Sequence, residues 1–410
     1  MAHLPLSIAD LPHYLLFAAV VFVFVAIALV DPLLIAMLAV PGVLLVQRVG
    51  GASLNLSGSD VLTVAGTAVA LPLLRADMRT TRRLLWIALL FEAVLLLTVV
   101  AHPNEKSIFE WLHRLFLVGG SITIGAVLGR ARRANAAVVT FLVLTTTLAV
   151  VAVGEALVHG FAPAQPFGLQ KNFVGSMAAS AVLIALVRPA WLRLSDNQVH
   201  SIAVLCAAGL LASRSRGAML ALAAALLVVA VRQKRLSSRS MIAVAVVTPL
   251  VIFTVVSLSH EAGQHQINSL TARADYSALA YREWHMSPVF GQGLRFFNQP
   301  GALLQSDAHN VIATTLAEGG VVGLVALALL VGLTLVALWR LPPEIGALAL
   351  AFVAGRFIHG LFDIYWVAAT TTLPWLIVGI VCGTADADAA DQVSESPLTQ
   401  RFRAAPLSRH

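Results

Sequence analysis

A histidine stands between two polar residues directly before a long apolar run, in the stretch DAHN at residues 307–310. Histidine is the side chain most easily tuned to accept a proton near neutral pH, so His309 is a candidate general base. Asp307 could orient it, and Asn310 follows it at the start of the run. An interfacial histidine that caps a helix fits the same pattern. A metal site needs more ligands at suitable spacing than this stretch offers, so no metal is expected.

Two arginines precede a second apolar run, in SRSRGAMLAL at residues 213–222. The run predicts a helix that begins at or near Arg216. Backbone N–H groups at a helix N-terminus attract anions, and a planar guanidinium can bind two phosphate oxygens. Arg216 is therefore a candidate phosphate ligand, and Arg214 a second one. Alternatively, both side chains extend to lipid headgroups.

Basic residues in the segment 271–297 add further candidate anion ligands. Arg273 has helical spacing to Tyr276, and Arg282 has helical spacing to His285. A basic loop above a membrane cavity could receive an anionic lipid head, but solvated arginines on a folded loop explain the pattern as well.

The segment LQKNFVGSMAA, residues 169–179, places Lys171 and Asn172 at the start of another apolar run. Both side chains could contact an anion or a sugar. Alternatively, Asn172 is an ordinary N-cap of the following helix.

Ionisable residues also fall inside the apolar runs. Glu318 lies nine residues after His309, about 13 Å further along a helix, where a carboxylate needs a polar cavity or a partner. The neighbouring Gly319, Gly320 and Gly323 would let another backbone approach closely.

A second ionisable group lies in GRFIHGLFDIYW, residues 355–366. Arg356, His359 and Asp363 are spaced i, i+3 and i+7, which places them on one helical face. They either pair with Glu318 or hold helices together.

The composition indicates the environment of these residues. Of 410 residues, 59% are hydrophobic and 11% are charged, whereas about a quarter of the residues of a soluble protein are charged. The chain is therefore expected to be a multi-pass protein of the inner or plasma membrane, surrounded by lipid bilayer.

The net charge of the chain is +7. Its Arg and Lys residues fall mostly in short loops, as in membrane proteins, and do not indicate nucleic acid binding. Cys206 and Cys382 lie in apolar runs and predict no disulfide.

The apolar runs predict an all-α polytopic membrane protein of about 12 (11–13) transmembrane helices. The N-terminus has no basic region or cleavage site, so its first run is expected to be a retained anchor. The candidate spans are about 13–30, 32–46, 61–74, 84–101, 112–129, 135–153, 173–188, 197–212, 217–231, 241–258, 311–338, 344–361 and 364–382.

Arginine-rich loops orient these spans. The loops at 75–83, 130–133, 188–193 and 232–239 are expected in the cytoplasm. The outer side then receives the segments 102–111, 154–172, 213–216 and 259–310. The last is long enough to indicate a functional loop, and its aromatic residues and turn motif favour a folded cap over the membrane domain.

These stretches, in this order, resemble the O-antigen ligase and Wzy-polymerase superfamily of bacterial membrane glycosyltransferases. The resemblance rests on LQKNFVGSMAA, on an Arg-x3-Leu pattern at Arg216, on a segment from Arg273 to SPVFGQGL, and on a His-x10-Gly pattern from His309 to Gly320. A tryptophan that often follows the family's second arginine is replaced by Tyr276. If Trp284 is instead its counterpart, Arg282 takes the role of Arg273.

The resemblance implies an inverting, metal-independent enzyme with a fold akin to the C superfamily of glycosyltransferases and with no cofactor. Such enzymes transfer a glycan from an undecaprenyl-diphosphate carrier to an acceptor hydroxyl at the outer face of the membrane, in cell-envelope polysaccharide synthesis. The acceptor is a glycan, lipid or cell-wall component. The resemblance implies that Arg216 and Arg273 hold the diphosphate and that His309 activates the acceptor.

Three regions follow from this interpretation. Residues 1–164 form N-terminal transmembrane helices, residues 165–385 form the catalytic membrane region, and residues 386–410 form a disordered cytoplasmic tail. The competing hypothesis is a transporter of a polar or anionic solute, whose essential polar groups would concentrate near the middle of the membrane.

Overall fold

The computed structural model describes residues 24–27, 29–49, 56–234, 265–298 and 307–394. A two-residue antiparallel strand pair, β1 (Arg48–Val49) and β2 (Leu56–Ser57), accompanies the helices. The helices in chain order are α1 (Pro32–Gly42), α2 (Gly58–Ala70), α3 (Arg79–Ala101), α4 (Glu105–Leu115), α5 (Ser121–Arg130), α6 (Ala134–Val158), α7 (Lys171–Val187), α8 (Asp196–Ser213), α9 (Arg216–Gln233), α10 (His265–Met286), α11 (Val311–Trp339), α12 (Pro343–Gly360) and α13 (Thr372–Ser394).

Membrane-spanning character is evident in much of the described chain. Six helices there are long and apolar enough to cross a membrane, with α4 and α5 joined into one by a π-helical turn at Phe116–Gly120. Three shorter apolar helices accompany them, α1, α7 and the segment from Gly58 to Leu73. The predicted all-α polytopic membrane class is confirmed, while the number of about 12 crossings stays a prediction. Most of the predicted span 13–30 and all of 241–258 lie outside the described residues.

Glycines bring α5 and α13 into close contact. Gly125 and Gly129 on α5 pack against Gly379 and Gly383 on α13, so that a Cβ at Gly383 would lie 1.9 Å from the carbonyl oxygen of Ala126. Helices in lipid associate mainly by close packing, which small residues at i and i+4 allow. This contact joins the first third of the chain to its C-terminal helix.

Helix α13 continues to Ser394, so the prediction that the tail is disordered from residue 386 onward is wrong for its first nine residues. The carboxylate of Asp386 accepts hydrogen bonds from the N–H groups of Thr80 and Thr81, at 2.8 and 3.0 Å. Further along, Arg132 forms ion pairs with Asp388 and with Asp391. These acidic residues therefore hold the end of α13 in contact with the basic loops. Residues 395–410 lie outside the described residues.

Helix α11 is interrupted at Gly320, whose φ of 59° and ψ of −156° are not helical. The turn after α10 docks into the break through four backbone hydrogen bonds: the N–H groups of 292 and 293 donate to the carbonyls of 317 and 318, and those of 321 and 322 donate to the carbonyls of 288 and 289. A Cβ at Gly320 would lie 2.3 Å from the carbonyl oxygen of Val289. The predicted close approach of another backbone thus occurs at Gly320, and the partner is a turn rather than a helix.

The predicted folded cap at 259–310 is described in part. It contains the 22-residue helix α10 and the docked turn, and its residues 259–264 and 299–306 lie outside the described residues. Helix α10 packs against α11, which places the residues of α10 beside the start of α11.

Candidate functional site

The turn between α8 and α9 is pinned to the start of α7. The hydroxyl of Ser215 donates to the side-chain oxygen of Asn172 at 3.2 Å. One turn along α7, a Cβ at Gly175 would lie 2.5 Å from the Cβ of Ser215 and 2.8 Å from the hydroxyl of Ser213. Asn172 is the second residue of α7, whose N-cap is Gln170, so the alternative that Asn172 caps the helix is wrong.

Four cationic side chains gather at this junction. Arg216, Arg273 and Arg214 all lie close enough to Lys171 to repel its charge, and Arg273 repels Arg216 in the same way. We call Lys171, Arg214, Arg216 and Arg273 the cationic cluster. Among the described residues, no carboxylate forms an ion pair with any of them, although each is partly buried. Like charges held together without a counter-charge form a site for an anion.

Two helix N-termini strengthen the positive potential of the cationic cluster. Helix α7 begins at Lys171 and α9 begins at Arg216, and no described side chain caps either start. The hydroxyl of Ser215, the N-cap residue of α9, is engaged by Asn172 instead. The first N–H groups of both helices are therefore left for another acceptor.

Helix α10 links the cationic cluster to His309. Arg273 and Tyr276 lie three residues apart on one face of α10, and the ring of Tyr276 stacks on His309 with centroids 6.1 Å apart. The fully buried Ala280 follows on the same face. The structure thus brings Arg216, Arg273 and His309 to one region of the molecule.

The hydrogen bond of His309 defines which ring nitrogen is available. Its Nδ1 lies 2.9 Å from the backbone carbonyl of Asp307. A carbonyl only accepts, so Nδ1 carries the proton and the neutral ring keeps a free lone pair on Nε2. His309 has a φ of 50°, while Asn310 caps α11 through the N–H groups of Ile312 and Ala313. The alternative that His309 caps the helix is therefore wrong.

Arg282 occupies the opposite side of α10 from Arg273. Nine residues separate them, which is two and a half helical turns, and the side chain of Arg282 is exposed. Trp284 donates its indole N–H to the carbonyl of Pro288 at 3.0 Å, within the docked turn. The geometry therefore favours Arg273, followed by Tyr276, over Arg282 as the counterpart of the family's second arginine.

A cavity of about 540 Å³ lies beside His309. Asp307 and Val311, two residues before and after the histidine, line it, although His309 itself does not. Its ionisable lining residues are Asp60, Glu110, Asp307, Glu318 and Asp363 together with Arg48, His113, Arg114 and Arg295. The cavity is therefore walled by charges of both signs.

Arg114 is the centre of the ion pairs around this cavity. Its guanidinium contacts Glu318 at 2.8 Å and Glu110 at 2.9 Å, and all three side chains are almost fully buried. Glu110 also contacts Arg295 at 3.7 Å, and His113 contacts Asp60 at 2.9 Å. Glu318 thus has both the cavity and the partner that its position requires.

Asp307 faces the same network from the loop before α11. Burial and the negative charge of Glu110 raise the pKa of Asp307 above its usual range, against the opposing influence of Arg114 and His309. In the described part of the chain, its carboxylate forms neither a hydrogen bond nor an ion pair. It is therefore an acceptor at the cavity wall that no described residue satisfies.

Arg356 and His359 form a further group of ionisable residues, which Asp363 connects to the cavity. Arg356 donates to Nδ1 of His359 at 2.9 Å and to the carbonyls of Ile364 and Tyr365. Asp363 lies 3.6 Å from His359, but α12 ends at Gly360, so the three residues do not share a helical face. Glu318 pairs with Arg114, so the interpretation that these residues pair with Glu318 is wrong, and the one that they hold elements together is supported.

Sequence reasoning missed the contribution of the N-terminal part of the chain. Glu110, His113 and Arg114 line the cavity from α4, and Asp60 lines it from α2. The available signal was EWLHRL, residues 110–115, in which two basic residues and an acid interrupt an apolar segment. Such groups inside a membrane helix indicate a polar interior.

Comparison with known proteins adds one finding. A protein-family model described as O-antigen ligase matches residues 201–328. No curated protein matched the chain. The match includes Arg216, Arg273 and His309, and it confirms the resemblance to the O-antigen ligase and Wzy-type family. It supports an O-antigen ligase- or polymerase-like role in polysaccharide biosynthesis.

Proposed function

We propose that this chain, whose residues 201–328 match the O-antigen ligase family, transfers a glycan from an undecaprenyl-diphosphate carrier to an acceptor hydroxyl at the outer face of the membrane. The observation that carries the proposal is the cationic cluster. Two of its four cations, Lys171 and Arg216, begin helices without a side-chain cap, and Arg273 lies one helical turn from Tyr276, whose ring stacks on His309.

The cationic cluster suits a diphosphate better than a single carboxylate. A lipid diphosphate presents several anionic oxygens, and Arg216 and Arg273 can each bind two of them. Helix α9 is apolar and only 17% of its span is buried inside the protein, so a lipid tail can extend along it. A diphosphate bound at its N-terminus would therefore keep its chain in the membrane.

The proposed chemistry is a single displacement. Nε2 of His309 takes the proton of the acceptor hydroxyl while its oxygen forms a bond to the anomeric carbon of the donor glycan. The bond between that carbon and the diphosphate oxygen breaks, and the electron pair leaves with undecaprenyl diphosphate. The cationic cluster stabilises the charge that grows on this leaving group. Attack from the opposite side inverts the anomeric centre, and no step requires a metal.

The structure supports the transporter hypothesis less well than the glycan-transfer hypothesis. Its polar path would be formed by Glu318, Arg356, His359 and Asp363. Glu318 is instead paired with Arg114, and Arg356 is engaged by the carbonyls after α12. These contacts fix residues in place, whereas a path for a solute needs groups that can exchange partners.

Deletion of the gene tests the proposed function. Cells that lack the protein should accumulate an undecaprenyl-diphosphate-linked glycan, because the donor is made but not consumed. Mass spectrometry of lipid extracts measures this accumulation, and re-expression of the wild-type chain should reverse it. An unchanged lipid-linked glycan pool would contradict the proposal.

A further inference from the structure

We propose that the 540 Å³ cavity walled by Arg114, Glu318 and Asp307 is the acceptor subsite, and that it binds a hydroxyl-rich sugar unit. This inference rests on the proposed function, since it names the second substrate of that reaction. It assigns a role to the N-terminal helices, which lie outside the matched segment 201–328.

The position of the cavity fits the geometry of the reaction. Asp307 and Val311 line it, on either side of His309 in the sequence. Gln170 and Asn172 line it as well, so the cavity also adjoins the cationic cluster at Lys171. A sugar in the cavity would therefore lie beside both the histidine and a diphosphate on the cationic cluster, as transfer between the two substrates requires.

The charges around the cavity favour a polar ligand without strong net charge. Arg114 is neutralised by Glu110 and Glu318, His113 contacts Asp60, and Arg295 contacts Glu110. An anionic or cationic ligand would have to separate such buried pairs, which is unfavourable because it leaves a buried charge without its partner. Sugar hydroxyls both donate and accept, so they can join the network without breaking it.

Unused polar groups on the wall indicate where such hydroxyls bind. Trp366 lines the cavity, and its buried indole N–H donates to no group in the described part of the chain. Asp307 also lines the cavity, and its carboxylate has no partner in that part of the chain. Buried polar groups are nearly always paired, so the unpaired groups of these two lining residues point to a polar ligand.

An exposed aromatic residue stands among the lining residues. The side chain of Phe167 is 77% exposed, and its backbone has a positive φ of 57°. Sequence neighbours Gly168 and Gln170 line the same cavity. An apolar ring held at a polar opening can stack on the apolar face of a sugar ring, which exposes its C–H groups.

Filling the cavity tests the inference. Thr314 lines the cavity from the first turns of α11, and Thr314→Trp would occupy space that an acceptor sugar needs. The control is Val325→Trp on the same helix, at a position that is 46% exposed. The deletion strain expressing Thr314→Trp should retain the accumulated lipid-linked glycan, whereas Val325→Trp should clear it like wild type. Purified Thr314→Trp in nanodiscs should bind undecaprenyl diphosphate within about twofold of wild type.

Each outcome decides the inference. Wild-type clearance of the glycan by Thr314→Trp would overturn it. A loss of undecaprenyl diphosphate binding of more than tenfold in a folded Thr314→Trp protein would also overturn it, because the cavity would then serve the donor.

If Thr314→Trp does not fold, Phe167→Ala tests the inference instead, since removal of this exposed side chain should not unfold the protein. We expect Phe167→Ala to slow clearance at least fivefold, and unchanged clearance would overturn the inference. Failure of the wild-type protein to bind undecaprenyl diphosphate would instead contradict the proposed function.

Discussion

Among single residues, the proposed chemistry depends on side chains from distant parts of the chain. Arg216 and Arg273 are the proposed diphosphate ligands and His309 is the proposed base, and the structure brings them to one region. The ion pair between Arg114 and Glu318 joins residues 204 positions apart. Such a contact depends on the packing of distant helices, which no local pattern encodes.

Replacing the proposed base should remove catalysis without removing donor binding. We expect His309→Ala to lower the rate of glycan transfer by about 10²–10⁴-fold, the range typical of a lost general base. Undecaprenyl diphosphate should still bind, because the cationic cluster is unchanged. Transfer assays on purified protein and binding in nanodiscs measure the two effects separately.

His159→Ala is the matched control for this substitution. His159 also contacts a backbone carbonyl through Nδ1, at 3.0 Å, but it is exposed and belongs to the loop after α6. Its loss should leave transfer near the wild-type rate. Substantial transfer by His309→Ala would remove His309 as the base.

Among the helices, the apolar runs predicted where most of them lie. They did not predict the non-helical backbone inside α11. Most described helices follow the predicted spans closely, because about 20 apolar residues have few alternatives in lipid. The predicted span 364–382 is wrong at both ends, since its helix is Thr372–Ser394 and the residues before it form turns. The break at Gly320 was not predicted, since Gly319 and Gly323 offer the same local signal. What distinguishes Gly320 is the turn after α10 that docks against it. This turn fixes α10, and hence Arg273 and Tyr276, relative to α11.

Gly320→Ala should destabilise this arrangement. Alanine is strained at a φ of 59° and ψ of −156°, and its Cβ would meet the backbone of Val289. Strain of this kind costs about 1–3 kcal/mol before the clash is counted. The midpoint of thermal unfolding in detergent should be lower than that of the wild type. Glycan transfer by the variant should also be slower.

Gly332→Ala provides the control on the same helix. Gly332 is helical, and a Cβ there would meet no atom within 4 Å. Alanine favours a helix over glycine by about 1 kcal/mol, so this variant should be at least as stable as wild type. Equal stability of the two variants would show that the docked turn does not depend on glycine at position 320.

At the scale of the whole molecule, the division of the chain at residue 165 does not match the boundary of the cavity. Helices α2 and α4 supply part of its wall, and α5 is packed closely against α13. Charge patterning places the arginine-rich loops at or beside helix ends, and the side of the membrane on which these loops lie stays a prediction. It did not indicate that the acidic residues after 385 would pair with the basic loops, because a polar, small-residue segment is also typical of disorder.

Asp386→Ala should weaken the connection between the two halves. Asp386 is buried and accepts hydrogen bonds from the first turn of α3, so its loss leaves N–H groups of Thr80 and Thr81 without their acceptor. Loss of such a cap costs about 1–2 kcal/mol. The midpoint of thermal unfolding should therefore fall. Asp388→Ala, which removes only an exposed ion pair with Arg132, should change it little, and equal effects would contradict this role for Asp386.

The central claim is that the cationic cluster binds a diphosphate, and affinity for undecaprenyl diphosphate in nanodiscs tests it most directly. The informative pair is Arg273→Ala and Arg282→Ala, two arginines on opposite sides of one helix. A hydrogen bond to a charged group contributes about 1.5–3 kcal/mol, so Arg273→Ala should weaken binding roughly 10- to 100-fold while Arg282→Ala leaves it within about twofold. The account is contradicted if Arg273→Ala binds like wild type, or if Arg282→Ala is the variant that loses binding.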